Sequence, residues 1–123
     1  MSEQNGRYAY EGLDRVLHEK ARLGILTALV ARPEGLLFGE LKQLCSLTDG
    51  NLNRHLDVLH KDRLIEIRKG FDHNRPQTSC RLTSLGRRRF REYLSQLEKV
   101  IRDAVPEEAT IEEPGAGWAP TTG

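Results

Sequence analysis

The sequence predicts a mainly α-helical fold with a small β-hairpin, on three observations. Apolar residues recur at helical spacing from Leu13 to Val30, the period drops from 3.6 to 2 after Asp62, and helical spacing resumes behind Thr83. At 123 residues the chain makes one domain with a little to spare, since domains commonly hold roughly 100 to 150 residues.

The elements follow in order. Leu13, Val16, Leu17, Ala21, Ile25, Ala28 and Leu29 form one apolar stripe, which predicts a first helix over 13–30. It ends near Arg32, because Pro33 disfavours helical geometry in the residue before it and Glu34-Gly35 supplies a turn. Leu36-Leu37-Phe38 fits a brief strand. Leu41, Leu44 and Cys45 then mark a short second helix. Thr48 is placed to cap a third, with Asp49 favourable at the positive end of its dipole and Leu52, Leu56 and Leu59 on its buried side. Two alternating runs, 64–69 and 77–82, predict a hairpin around a seven-residue polar loop, Gly70 to Pro76. Thr83 caps the last helix, whose apolar residues run out to Ile101.

Charge is distributed unevenly. The whole chain carries a net +1, but residues 51–91 hold 11 basic and 4 acidic side chains, a local +7, whereas residues 103–123 hold 5 acids and no base. A compact basic stretch is the footprint of a polyanion binder, here masked by an acidic end. Residues 104–123, with Pro106, Pro114 and Pro120, are expected to form a disordered acidic tail in which Trp118 is the one large apolar group. Residues 1–12 are expected to be a flexible end, which leaves 13–103 as the folded unit.

Several function classes drop out. No stretch approaches the roughly 18 apolar residues of a membrane span, and Met1 to Gly6 has no secretory pattern, so cytoplasmic residence is expected. The chain has no Gly-rich phosphate loop, no HExxH and no Ser/His/Asp arrangement; no enzyme and no cofactor are expected. Cys45, Cys80 and the four histidines lack paired ligand spacing, and two cysteines do not make a disulfide framework, so no metal site is expected.

Helix, short strand, helix, tight turn, helix, strand, loop, strand, helix is the layout of a winged helix-turn-helix. The run Phe38-Gly39-Glu40-Leu41-Lys42-Gln43-Leu44-Cys45-Ser46-Leu47-Thr48-Asp49-Gly50-Asn51-Leu52-Asn53-Arg54-His55-Leu56 resembles the winged-helix transcriptional regulators of the MarR and ArsR type. Arg75-Pro76 through Leu82-Thr83-Ser84-Leu85-Gly86-Arg87 resembles the same group's wing strand and its entry to the last helix. The resemblance spans Leu13 to Ile101 and implies a sequence-specific regulator of double-stranded DNA. A recognition helix at about 49–62 would enter the major groove, and a wing at about 70–76 would meet the minor groove or its phosphates.

Asn51 and Asn53 offer the donor–acceptor pair that suits an adenine edge, and Arg54 the fork that suits guanine. Thr48 at the helix start suits a phosphate, and the resemblance adds His55 to the reading surface, although a packed role beside Leu56 is an equal alternative. Arg75, flanked by Arg68 and Lys69, is the wing's candidate; the wing departs from the group's pattern in carrying His73, Asn74 and Gln77 where basic residues or Gly are common. Leu23, Leu26 and Val30 on the first helix, with Tyr93, Leu94, Leu97, Val100 and Ile101 on the last, exceed what one small core covers and predict a homodimer. The alternative is a winged-helix protein-interaction module that binds no DNA.

Overall fold

In a computed structural model the described residues are 6–105. They form α1 (Lys20–Ala31), β1 (Leu36–Leu37), α2 (Phe38–Cys45), α3 (Asp49–Lys61), β2 (Ile65–Asp72), β3 (Arg75–Leu82) and α4 (Ser84–Ala104). The sheet is antiparallel with β3 central, in the order β1-β3-β2. Its core-side residues Leu36, Ile65, Cys80 and Leu82 close against Ile25, Leu29, Leu41, Leu52, Leu59 and Phe90 from the helices.

The first helix starts later than its apolar spacing predicts. Glu19 is extended (φ −139°, ψ 130°), and its carboxylate accepts from the Ala21 and Arg22 N–H groups at 3.0 and 3.2 Å, so the helix is capped at Lys20. Residues 6–19 form turns instead, and they still deliver Leu17 to the core. Asp14 accepts from the Val16 N–H and pairs with Arg89 of α4, Arg22 Nε donates to the Val16 carbonyl at 2.6 Å, and the Tyr10 hydroxyl donates to Asp103 at 2.8 Å. The three-and-four spacing of Leu13, Val16 and Leu17 thus serves a folded strap laid on α4, not a helix.

Two helices end in the same way. The Leu47 and Ser46 N–H groups bond the Lys42 and Gln43 carbonyls behind α2, and the Leu64 and Arg63 N–H groups bond the Leu59 and His60 carbonyls behind α3. Ser46 (φ 53°) and Arg63 (φ 62°) hold the left-handed position that this termination requires and that glycine more often fills. The short turn after α2 brings α3 against α1 and α2 as a helix-turn-helix. Gly35 (φ +107°) ends the connection into β1; a Cβ there would stand 2.9 Å from the Cys80 carbonyl oxygen.

The hairpin also differs from expectation. Its loop is two residues, His73-Asn74, both with positive φ (52° and 69°), as a tight strand-to-strand turn demands. Strand pairing therefore continues through Gly70, Phe71 and Asp72 on one side and Arg75 and Pro76 on the other.

Of the dimer residues expected above, Leu26 and Tyr93 are buried in the core, and Leu23, Leu97 and Val100 are half-buried. Val30, Leu94 and Ile101 are exposed. Among the described residues no helix is long and apolar enough to cross a membrane. The expected tail falls outside the described residues except for Ala104, which ends α4, and Val105; Trp118 is among those outside.

Candidate nucleic-acid interface

The candidate site is built on α3. Its back is anchored by the buried Leu52, Leu56 and Leu59, and 3.6-residue periodicity then forces Asn51, Asn53, Arg54 and Asp57 to the outer side, where all four are exposed. The Thr48 hydroxyl accepts from the Asn51 N–H at 3.2 Å, which fixes the first turn. Asp49 would repel a phosphate at this end, but Lys42 of α2 holds its carboxylate at 2.8 Å. An exposed pair of this kind contributes little stability; its consequence is that the negative charge is compensated locally. Arg54 donates to the Asn51 side-chain carbonyl at 3.3 Å, one turn apart, so the two polar heads are presented together.

His55 is the exception on this helix. It is 4% exposed, with Nδ1 3.2 Å from the Arg22 guanidinium and 3.9 Å from the Glu19 carboxylate. The arginine can only donate, so Nδ1 accepts and the ring is neutral with its proton on Nε2. Burial lowers the His55 pKa from its ordinary 6.5, Arg54 and Arg22 act in the same direction, and Glu19 opposes them. His55 therefore leaves the reading surface and becomes the link between α3 and the capped start of α1.

A depressed histidine pKa makes stability depend on pH in a defined direction. The unfolded chain takes up a proton near pH 6.5 and the folded chain only at lower pH, so the His55 contribution is complete above 6.5 and declines as pH falls below it until the folded group titrates. Urea midpoints measured from pH 7.5 to 5 should fall more steeply for the wild type than for His55→Gln. Parallel curves would mean that His55 is not held neutral.

The wing's residues divide by face. In an antiparallel ladder directly paired residues share a face, so Ile65/Leu82, Ile67/Cys80, Lys69/Thr78 and Phe71/Pro76 lie on one side and Glu66/Arg81, Arg68/Ser79 and Asp72/Arg75 on the other. The first is the helix side: Asn53, Leu56 and Asp57 of α3 border a groove of about 330 Å³ with Phe38, Ile67, Lys69 and Thr78. Lys69 thus sits beside the recognition-helix surface. Arg68 projects from the opposite face, in the neighbourhood of Glu34, Glu66 and Arg81, where Glu66 and Arg81 pair at 2.8 Å. Arg75 shares that face at the tip, next to the Asp72–His73 pair. The sequence reading grouped Arg68, Lys69 and Arg75; the register separates Lys69 from the other two.

The thiols are inert in this setting. Burial pushes the Cys80 pKa up to about 11 and raises that of Cys45, so both stay protonated at neutral pH. Among the described residues no three His, Cys, Asp or Glu side chains converge as metal ligands would.

Known proteins share this arrangement. An uncharacterised protein of Methanocaldococcus jannaschii is 32% identical over 89 residues, 72% of this chain and 96% of that one. The structure of a transcriptional regulator homologue from Pyrococcus horikoshii superposes with a TM-score of 0.70 at 30% identity, covering 84% of this chain and 97% of the other. A MarR-family transcriptional regulator from Silicibacter pomeroyi gives a TM-score of 0.50 at 25% identity over 90% of this chain and 78% of the other. The winged helix DNA-binding domain, which is not an enzyme family, matches residues 21–101, from the first turn of α1 to the last turns of α4, and the chain belongs to that family.

Proposed function

We propose that the protein is a sequence-specific, double-stranded-DNA-binding transcriptional regulator that acts as a homodimer. The observation that carries this reading is the outer surface of α3, where Asn51, Asn53 and Arg54 stand exposed on a helix whose back is locked by Leu52, His55, Leu56 and Leu59. That is the chemistry of base readout in the major groove: amides for adenine and a guanidinium fork for guanine. Thr48 and the free N–H groups of the first turn serve a phosphate, and the wing meets the neighbouring minor groove and its phosphates. Similarity to a transcriptional regulator homologue and to a MarR-family regulator supports the regulatory role. The local +7 of residues 51–91 supplies the long-range attraction.

Gel shifts against genomic fragments at two salt concentrations test the reading. A protein that neutralises 6 to 10 phosphates loses about 10³- to 10⁵-fold in affinity between 50 and 200 mM salt. Arg54→Ala should in addition relax preference at one base pair, by about 1 to 3 kcal/mol. No shift even at 50 mM salt would favour the protein-interaction alternative.

A further inference from the structure

We infer that Phe71, backed by Pro76, is the DNA-contacting tip of the wing, an apolar wedge for the sugars and base edges of the minor groove. The inference rests on the DNA-binding reading above and assigns the wing's contact to a residue that charge alone passes over. Phe71 is 76% exposed, the most exposed of the large apolar residues among those described. It lies six residues beyond Ile65, on the same face of β2 as Ile65, Ile67 and Lys69, so it continues the sheet face that borders α3.

The turn geometry places its partner. With a two-residue loop, Asp72 and Arg75 form the hydrogen-bonded pair and Phe71 and Pro76 the next, non-hydrogen-bonded one, in which side chains approach most closely. Pro76 has no N–H to offer and none is needed at that position, so the hairpin carries an apolar pair at its end without breaking the ladder. The surroundings are suited to a polyanion: Lys69 precedes Phe71 by two on the same face, while Arg68 and Arg75 flank it from behind. Basic residues around an apolar wedge on a thin ribbon are the combination that minor-groove insertion uses, the cations holding phosphates while the ring enters between sugars or base steps. A protein contact would leave these cations without a role at the same tip.

The test compares Phe71→Ala, Arg75→Ala and the wild type on a duplex selected for wild-type binding, with thermal melting to verify folding. Because the ring is exposed, Phe71→Ala should melt like the wild type and bind about 10- to 100-fold more weakly, the equivalent of burying one Phe side chain. Its salt slope should be unchanged, since no charge is lost, whereas Arg75→Ala should reduce the slope by about one. Replacing G·C by inosine·C pairs in the flanks, which alters only the minor groove, should change wild-type affinity and leave Phe71→Ala unaffected. Equal affinity of Phe71→Ala and wild type on a duplex that both bind would overturn the wedge while leaving the DNA reading intact. Absence of binding by the wild type would overturn the reading itself.

Discussion

Gly86→Ala is expected to destabilise the protein by about 3 kcal/mol or more, at the upper end of what overpacking costs. Gly86 is the third residue of α4, and its N–H donates to the capping Thr83 hydroxyl at 2.9 Å. Helix propensity by itself would favour alanine there by roughly 1 kcal/mol. Packing reverses the sign, because a Cβ would stand 2.0 Å from the Leu64 carbonyl oxygen and 2.9 Å from its carbon. Neither side can give way cheaply. The Leu64 N–H closes the end of α3 on the Leu59 carbonyl, its own carbonyl accepts from the Thr83 N–H at 3.0 Å, and the Thr83 hydroxyl donates to the Arg63 carbonyl at 2.7 Å. One substitution therefore strains the junction of the recognition helix, the wing and α4 together. Gly39→Ala in α2 is the control: nothing lies within 4 Å of its Cβ position, and a gain of about 0.5 to 1 kcal/mol is expected. Urea denaturation of the two variants should move the midpoint in opposite directions. A Gly86→Ala protein as stable as the wild type would mean that α4 does not seat on Leu64.

The parts of this fold legible in the sequence are those that a buried face makes periodic. Leu52, Leu56 and Leu59 define α3, and Ile65 and Ile67 announce β2, because each stripe has a core to meet. Beyond Lys69 the hairpin leaves the core, both of its faces are wet, and Gly70, Asp72 and Pro76 read as loop although they are paired. Misplacing the turn has a large consequence, since a one-residue slip moves every side chain to the other face. That is why Arg68, Lys69 and Arg75 read as one cluster in the sequence while the register divides them, and why Phe71 went unnoticed. The early start assigned to the first helix has a different cause: Leu13, Val16 and Leu17 pack on α4 at helix-like intervals, and only the carboxylate of Glu19, bonded to two N–H groups, marks the true boundary. His55 follows the same logic on a smaller scale. Its position beside Leu56 allowed either face, and the Arg22 guanidinium decided it.

Ile101→Glu is expected to convert the proposed dimer to a monomer and to lower operator affinity by about 10² to 10⁴, the avidity that a second linked half-site contributes. The 21 residues of α4 extend roughly 31 Å, yet only Gly86, Phe90 and Tyr93 are buried, all in the first half. Farther along, Leu94, Leu97, Ile101 and Val105 recur at intervals of three and four, and Leu94 and Ile101 are 44% and 55% exposed. Such a seam on a long helix is the pattern by which two helices pair, and the removal of Leu26 and Tyr93 to the core concentrates the proposed interface on it. A glutamate on the seam would have to be desolvated in the dimer without a partner, at a cost far above that of the lost methyl groups. In the monomer the same side chain meets water, so folding should be spared. Sedimentation equilibrium and a gel shift on a two-half-site duplex read the two effects together. Each subunit keeps its own α3 and wing, so the residual binding should match that of a single half-site and retain its salt dependence. If Ile101→Glu remains dimeric, or becomes monomeric with unchanged affinity for the full site, α4 does not couple two recognition helices.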